Sequence, residues 1–566
     1  MGLHIADYGV LVLYFLIIIL IGIWSARKIK NSNDFFMPRH FGKVMMLMFS
    51  FGSGTHSDQA VSVSSKSFTN GLSGIWYQWL WLPVTPFYWL IAPIFRRFRA
   101  ITTANVFEAR FNPSVSILYA IVGILSLMVN IGLMLKGASE VISASTGGLI
   151  SANQTIWIMT VIFVAYGVAG GLSAAIITDF IQGILTIFFS FALLPLIMKA
   201  VGGFEGINNA IDNKEMLTLI APSDIGVFYI VVIAFNALIG IVTQPHTMAN
   251  CAAGKTEMDG RVGFMGGPML KRLITIPWAL IGLAGVVYFA GQNIHPDKVF
   301  GAVAGDLLPQ VIPGMLGLFL AALIASVMSS CDVFMISSSA LFTEDIYRRL
   351  QPSKPQKHYV SVGRIASILV VAGGVYFAYW LPGVVAGLEI FWKIAPMMGI
   401  VFWLGLFWRR ATVAGAWTAT LTAFAVWWLT TLPFIISVIS NIPGAESLKL
   451  VVEKSTGTEI YLPWQMILYL GCGTLAGIIV SLFTKPVAKE KLDNFYNLVK
   501  TPIKPGEVIP APCTLPVDAV VPKRRNIFPN TNLEIMMPSR TSIIGFLAGW
   551  VIVATIVYAF FLITKI

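Results

Sequence analysis

Three serines and one aspartate interrupt an apolar stretch that is long enough to cross a bilayer. The stretch, GMLGLFLAALIASVMSSCDVFMISSSALFTEDIYRRL, contains Ser326, Ser329, Ser330 and Asp332. On a helix the three serines stand at i, i+3 and i+4, so their hydroxyl groups share one face, with Asp332 one turn beyond Ser329. Oxygen ligands of this kind suit a small hard cation. Alternatively, the hydroxyls bond to backbone one turn back and only join two helices.

The carboxylate of Asp332 is harder to account for than the hydroxyls. A charged side chain at the centre of a membrane helix costs about 2.5 to 3.5 kcal/mol, and such residues usually mark an ion or proton pathway. We therefore predict that this stretch lines a cation site.

The composition is typical of an integral membrane protein. Hydrophobic residues make up 57% of the 566 residues, charged residues make up 11%, and the mean hydropathy is +0.79. The four cysteines are scattered, with neither a metal-ligand spacing nor a disulfide pattern. The sequence shows no nucleophile paired with a base, no metal cluster and no phosphate loop, so we do not expect an enzyme.

The net charge of +12 comes from basic residues gathered in short segments. No basic patch is interleaved with stacking aromatic residues, so nucleic acid binding is not expected. Short basic segments between apolar spans are typical of cytoplasmic loops. Of the 38 Lys and Arg residues, 29 lie in six segments: 27–43, 96–110, 254–272, 348–364, 409–410 and 485–540.

Fourteen apolar spans alternate so that every basic segment falls on the inner side. Basic residues follow the first span, which places the N-terminus outside, and an even number of spans places the C-terminus outside as well. We predict an all-α, multi-pass protein of the cell membrane. The spans are 7–26, 44–65, 72–95, 114–146, 152–169, 172–200, 225–252, 262–290, 313–347, 358–382, 385–408, 411–439, 461–484 and 542–563.

Two of these spans contain residues that break helices. The second span carries the Gly- and Ser-rich turn 52–57, and the seventh carries Pro245 shortly after Gly240. Broken helices at corresponding positions of two halves are typical of inverted-repeat transporters, whose binding site lies at the membrane midplane. Proline kinks without a ligand are the alternative.

Several segments, in order, resemble those of the sodium/solute symporter family. They are GGLSAAIITDFIQG, TQPHTMANCAAGK, LGLFWRRAT and the serine-bearing helix with its ending FTEDIYRR. TQPH is similar to the sodium/proline branch, and the fourteen spans are similar to the sodium/glucose branch. The resemblance covers about residues 1–484. It implies a leucine-transporter-like five-plus-five inverted repeat with about 14 transmembrane helices, in which spans two to eleven form the core.

The resemblance also implies a sodium site between the first broken helix and the serine-bearing helix. Carried over by position, its ligands are the backbone carbonyls of Gly52, Thr55 and Ser326 and the hydroxyls of Ser329 and Ser330. A broken helix offers unpaired carbonyls and the serines offer hydroxyls, so the residue types suit a monovalent cation. We expect sodium to be the coupling ion.

A second cation, sodium or a proton, is a further expectation. Asp179 in IITDFIQG matches an aspartate that the sialic acid symporter branch places near an additional sodium. Where that branch has hydroxyl ligands on the serine-bearing helix, this chain has Asp332 followed by Val333, so such a site would be altered. Alternatively, Asp179 accepts hydrogen bonds and Asp332 pairs with a base.

Solute contacts are implied for a set of polar residues near the two breaks: His56, Gln59, Gln78, Asn236 and Lys271. Three of them could have roles that involve no solute. His56 could be structural, Gln78 could be an interfacial anchor among tryptophans, and Lys271 could extend to the cytosolic surface.

The chain departs from both branches near these positions. Ile239 stands where the sugar-transporting branch has an aromatic gate, and Gly54 stands where the proline branch has an aspartate. Lys136 and Glu140 fit an internal i, i+4 pair, but a Lys136 that faced the cavity would favour an anionic solute. The class of solute therefore stays open.

We predict a sodium-coupled secondary active symporter that imports a small polar organic solute, of the sugar, amino acid or organic acid class, by alternating access. The alternative is a sodium-dependent solute receptor on the same scaffold that does not transport. Expected partners are the solute and the lipid bilayer, with no nucleic acid and no obligatory protein partner. The predicted units are an N-terminal extra helix with its loop (1–43), the inverted-repeat core (44–410), two accessory helices (411–484), a cytoplasmic linker (485–541) and a C-terminal transmembrane helix (542–566).

Overall fold

Helices account for most of the first half of the chain, as its long apolar runs predict. The computed structural model describes residues 3–26, 36–221, 225–454, 457–504 and 507–564. The helices up to residue 288 are α1 (Ile5–Ala26), α2 (Lys43–Gly52), α3 (Ser57–Asn70), α4 (Trp76–Trp79), α5 (Thr85–Arg97), α6 (Thr103–Arg110), α7 (Pro113–Ser145), α8 (Ala152–Ala200), α9 (Gly203–Ala210), α10 (Val227–Ile241), α11 (His246–Ala252) and α12 (Glu257–Tyr288).

The second half continues in the same way. Helix α14 runs on through a π-helical stretch, Leu341–Tyr347, into the short α15. The helices are α13 (Val299–Leu307), α14 (Met315–Ala340), α15 (Arg348–Leu350), α16 (Gln356–Trp380), α17 (Val384–Phe407), α18 (Val413–Leu429), α19 (Pro433–Ser440), α20 (Leu462–Phe483), α21 (Lys489–Lys500) and α22 (Arg540–Ile563), with 3₁₀ turns at Gly71–Ile75, Lys214–Leu217, Pro296–Lys298 and Leu308–Gln310.

Several helices begin at reciprocal side-chain caps. Thr102, Ser151 and Thr256 precede α6, α8 and α12, and each accepts a hydrogen bond from the backbone N–H three residues on. The side chain at that third position accepts from the backbone N–H of the capping residue in return. These pairs satisfy backbone donors that a helix start leaves without partners, so local residues determine where these helices begin.

Eight helices of the described chain are long and apolar enough to cross a membrane, or ten crossings if two bent helix pairs each count as one. Within the described residues the predicted count of fourteen and the five-plus-five repeat are not confirmed. Predicted spans 44–65 and 72–95 are each divided into shorter helices. Spans 152–169 and 172–200 share the single element α8 of 49 residues, which is longer than one crossing requires. The count still describes a multi-pass membrane protein.

Both predicted helix breaks are present. Helix α2 ends at Gly52, and α3 begins at Ser57 after His56, whose backbone is extended. Helices α10 and α11 are bent by 72° relative to each other. Pro245 stands immediately before α11, and because it has no N–H it cannot continue the hydrogen-bond ladder of α10.

The serine-bearing helix α14 lies inside the bundle. Its most apolar part is buried, and it packs against α1, α7, α8 and α16. Its contact with α1 depends on Gly317, where a Cβ atom would lie 2.4 Å from the Cα of Asp7. The backbone N–H of Gly317 also donates to the Asp7 carboxylate at 2.7 Å. A small residue thus lets the first helix approach the serine-bearing helix closely.

One β-hairpin corrects the all-α expectation. Strands β1 (Val451–Lys454) and β2 (Gly457–Ile460) pair antiparallel, with Val451 opposite Ile460. Valine, threonine and isoleucine favour strands because their branched side chains pack well on a pleated backbone. The described chain is therefore mostly helical, with a short hairpin in a segment that we predicted to be a loop.

The segment predicted as a linker, 485–541, packs against the ends of the neighbouring helices. It contains the unpredicted helix α21, whose Phe495 stacks on Phe98 with ring centroids 5.7 Å apart. Acidic residues of this segment also pair with arginines of the bundle. These ion pairs are Arg99 with Glu507, Arg409 with Asp493, and Arg409 with Glu534.

Candidate functional site

The first helix break and the serine-bearing helix meet at Gly52. The Gly52 carbonyl accepts a hydrogen bond from the Ser330 hydroxyl at 3.1 Å, and it also accepts from the Thr55 backbone N–H at 3.1 Å. Ser330 is fully buried. The structure therefore brings together three of the residues for which we predicted a role in sodium binding.

The remaining predicted sodium residues differ in what they contact. The Ser326 hydroxyl donates to the Leu323 carbonyl of its own helix at 2.9 Å, as in the packing alternative. The side chain of Ser329 lies outside the described residues. The Thr55 hydroxyl is buried, and it has no hydrogen-bond partner within the described chain. A buried oxygen without a donor next to an accepting carbonyl fits a small cation that only oxygen atoms coordinate.

Three helices contribute to a buried acidic cluster near the predicted second cation site. Asp179 of α8 and Asp332 of α14 are both fully buried. The charges of both carboxylates act on the hydroxyl of Tyr14 of α1, and that hydroxyl accepts from the Gln182 amide at 3.0 Å. Helices α1, α8 and α14 pack against one another, so both carboxylates lie near enough to Tyr14 to act on its phenol group. Tyr14 was not predicted, because an aromatic residue in an apolar span is ordinary.

A cavity lies beside the first break. Residues from both breaks and from α12 line it, together with aromatic side chains of α5 and α17. Four of the five predicted solute residues are among the lining residues: His56, Gln59, Gln78 and Lys271.

His56 is held from both sides of its ring. Its Nδ1 hydrogen-bonds the carboxylate of Asp58, and its Nε2 accepts from the Gln59 amide at 3.1 Å. In this arrangement one ring nitrogen donates and the other accepts, so the neutral imidazole satisfies both bonds. The second carboxylate oxygen of Asp58 is buried without a hydrogen-bond partner among the described residues.

Lys271 lies in the cavity instead of extending to the membrane surface. It is only 8% exposed, and its ammonium group donates to the carbonyl of Gly54 in the first break. The neighbouring Arg272 lines the same cavity and donates to the Gln78 side chain at 3.4 Å. Gln78 is 1% exposed, which argues against the interfacial role.

Asn236 does not line this cavity. Its amide donates to the Trp392 carbonyl at 3.0 Å and accepts from the Tyr469 hydroxyl. It borders a small neighbouring space, which shares Trp81, Gln244 and Phe391 with the main cavity. Its side chain points between α17 and α20, and spacing along α10 alone could not reveal this orientation.

Lys136 does not face the cavity either. Its ammonium group donates to the Leu381 carbonyl, and it is not among the cavity-lining residues. Lys136 therefore gives no support to an anionic solute.

Some cavity residues were not predicted from the sequence. His246 and Gln244 belong to the TQPH segment, and Asn250 follows on α11. Asn250 also accepts from the Ser53 hydroxyl at 3.0 Å, which connects the two breaks directly. Arg272 was missed because basic residues near a helix end usually extend to the surface. Its position next to Lys271 in the sequence could have indicated that Arg272 also lines the cavity.

The sequence matches the Sodium:solute symporter family over residues 34–423. An osmoregulated proline transporter of Bacillus subtilis (strain 168) is 26% identical over 504 residues, covering 84% of this chain and 94% of that protein. A sodium/glucose cotransporter 4 of Danio rerio is 24% identical over 557 residues, covering 87% of this chain and 80% of that protein.

A solved structure with a similar fold is that of a Na⁺-coupled sialic acid symporter in a substrate-bound, outward-open state with a novel Na⁺ site. The TM-score is 0.69 at 19% identity, and the match covers 86% of this chain and 99% of that chain. At this identity the likeness concerns the fold alone. The match over residues 34–423 spans both helix breaks and the serine-bearing helix, so the chain belongs to the sodium:solute symporter family.

Proposed function

We infer that the protein imports a small polar organic solute together with sodium, by alternating access across the cell membrane. The contact between Ser330 and the Gly52 carbonyl carries this inference, because it joins the serine-bearing helix to the broken helix that borders the cavity. Sodium would bind among the oxygens of Gly52, Thr55, Ser326, Ser329 and Ser330. The relatives include proteins described as a proline transporter, a sodium/glucose cotransporter and a sodium/pantothenate symporter. They support sodium-coupled transport and leave the class of solute open.

Coupling between ion and solute follows from the shared break. Gly52 ends α2 on the side of Ser330, while Gly54 and His56, only a few residues on, line the cavity. An ion that holds Gly52 against α14 also restricts the backbone that presents His56 to the solute. Binding of either ligand then lowers the ordering cost for the other, and by linkage the effect is reciprocal.

A second cation is proposed at Asp179 and Asp332. Two buried carboxylates that act on one phenol repel each other when both are charged, and a cation or a shared proton relieves that repulsion. The sialic acid symporter with the novel Na⁺ site supports the idea of an additional ion on this fold.

The proposal is tested by reconstituting the purified protein into vesicles. An inward sodium gradient should drive accumulation of at least one solute from a panel of proline, glucose, myo-inositol, pantothenate and pyruvate, and an equal potassium gradient should not. Sodium-dependent binding without accumulation would instead favour the receptor alternative. Topology is tested separately by labelling cysteines introduced at residues 4 and 564, both of which we expect to react from outside.

A further inference from the structure

The cavity contains more positive than negative charge. Lys271 and Arg272 both line it, and neither forms an ion pair with a carboxylate within the described chain. The carboxylate of Asp58, which His56 binds, acts electrostatically on Lys271. Asp58 therefore offsets Lys271, and the guanidinium of Arg272 is left without a carboxylate counter-charge among the described residues.

Two other buried arginines have more partners than Arg272. Arg99 forms an ion pair with Glu507, and Arg110 donates to the Gly405 carbonyl at 2.7 Å and to further carbonyls of the same loop. A guanidinium group has five N–H donors. Among the described residues the guanidinium of Arg272 makes one hydrogen bond, a long one to Gln78, and its Nε is buried without a partner.

Ionisable groups in a membrane interior are costly and usually have partners or face a water-filled cavity. Arg272 is 2% exposed, and its guanidinium lies 6.0 Å from the ring centroid of Trp81. A cation fixed between a glutamine and an aromatic ring, with donors left over, is arranged to bind an anionic group.

We propose that the transported solute is a monocarboxylate and that Arg272 binds its carboxylate. This rests on the proposed function in that the cavity is taken as the solute site. The planar guanidinium fork matches the two oxygens of a carboxylate. A phosphate monoester carries about −1.5 to −2 charges at neutral pH and would exceed the single positive charge that is left over.

The remainder of the solute contacts a mixed surface. The rings of Trp81, Tyr88 and Phe391 line the cavity together with the amides of Gln59 and Gln78. Such a lining accommodates a compact organic acid with an apolar or hydroxylated body. It does not require a second charged group on the solute.

The test compares carboxylates with their neutral amides by thermal unfolding of the purified full-length protein in sodium chloride. The probes are acetate, lactate, nicotinate and benzoate, each beside its amide, at up to about 10 mM, which exceeds a Kd of 1 mM tenfold. At least one acid should raise the Tm saturably while its amide does not. Equal shifts from acids and amides, or no shift with any acid, would overturn the proposal.

Substitutions of single arginines test whether the carboxylate binds at Arg272. Arg272→Gln should weaken carboxylate binding about 10- to 150-fold, as loss of a hydrogen bond to a charged group predicts, while stabilisation by sodium persists and reports a folded protein. Arg261→Gln is the matched control, since Arg261 is a buried arginine of the same helix that donates to Trp89 and Ser542 outside the cavity. Should Arg272→Gln fail to fold, Arg272→Lys keeps the charge and should still lose bidentate binding.

Two outcomes separate this proposal from the symporter itself. In the first, sodium drives accumulation of a neutral solute to the same level in Arg272→Gln as in the parent. That result would overturn the proposal of a carboxylate solute and leave the proposed symport function intact. If the protein binds a carboxylate but sodium drives no flux of it, the proposed anion site stands and the proposed symport function is contradicted.

Discussion

The two helix breaks differ in which groups bind their freed carbonyls. At the first break, Gly52 and Gly54 accept from Ser330 and Lys271, which belong to other helices and line or adjoin polar space. At the second break, the Thr243 carbonyl accepts from the Tyr119 hydroxyl at 2.9 Å. The Ile241 carbonyl accepts from the Thr247 hydroxyl at 2.8 Å.

These partners suggest different roles for the breaks. The first break contains a buried hydroxyl and a buried carboxylate oxygen with no hydrogen-bond partner in the described part of the chain, on Thr55 and Asp58. Polar atoms of this kind point to ligands. The second break has one such atom as well, His246 Nδ1. Its Thr243 and Ile241 carbonyls, however, are occupied by fixed side chains, so we regard the second break mainly as a brace that holds α10 and α11 around the cavity. Substitutions around each break test this distinction, and we expect their effects to decrease from Asp332 to Tyr119.

The greatest change is expected at Asp332, two residues beyond the serine that contacts the first break. One monovalent ion driven by about 100 mV and a tenfold gradient supplies about 3.7 kcal/mol, or roughly 500-fold accumulation, and two ions square that ratio. Asp332→Asn should therefore lower the maximal accumulation about 500-fold if it removes the second ion. The sodium-to-solute flux ratio of parent and variant measures this directly.

A single coupled ion in the parent, with the same ratio in Asp332→Asn at every pH, would assign Asp332 a structural role. A proton in place of the second sodium would instead show as a pH-dependent ratio in the parent that the variant lacks.

Ser330→Ala, alone or combined with Ser329→Ala, should abolish the stabilisation that sodium provides. At a sodium concentration of about 100 times Kd this stabilisation is about 2.7 kcal/mol, and thermal unfolding with sodium or potassium measures it. Ser326→Ala is the matched control, because its hydroxyl bonds within α14 and its carbonyl remains. If Ser330→Ala responds to sodium as the parent does, the ion binds elsewhere.

Solute affinity separates the cavity residues from Asn236. Alanine at His56, Gln59 or Gln78 should each weaken binding of the identified solute by about 1 to 3 kcal/mol, because polar groups of the solute lose their partners. Asn236→Ala should lower stability and leave affinity nearly unchanged, since its amide bonds to Trp392 and Tyr469. Isothermal titration and unfolding of the same variants distinguish the two effects, and unchanged affinity in all three cavity variants would contradict the assignment.

A modest effect is expected at the second break. Tyr119→Phe removes the hydrogen bond to the Thr243 carbonyl and should lower the free energy of unfolding by about 0.5 to 1.5 kcal/mol. The sodium Kd should not change. A sodium Kd that rises in Tyr119→Phe as much as in Ser330→Ala would show that the breaks are not distinct in function.

Local sequence determined several features that the structure contains. Pro245 and the Gly- and Ser-rich turn 52–57 ended helices because no regular hydrogen-bond ladder can pass through them. Family membership, predicted from short motifs such as FTEDIYRR, is confirmed by the match over residues 34–423. The roles of the predicted ion and solute residues stay predictions.

Other features depended on how distant segments meet. Whether Lys271 reaches the surface or the cavity depends on the Gly54 carbonyl, which is 217 positions away in the chain. The same holds for Asn236, whose partners lie on α17 and α20. It also holds for Tyr14, whose hydroxyl accepts from Gln182 of α8. A polar side chain in a membrane span must find a partner, so the sequence determined that these residues would be paired. Only the tertiary packing decided which partner each of these residues has.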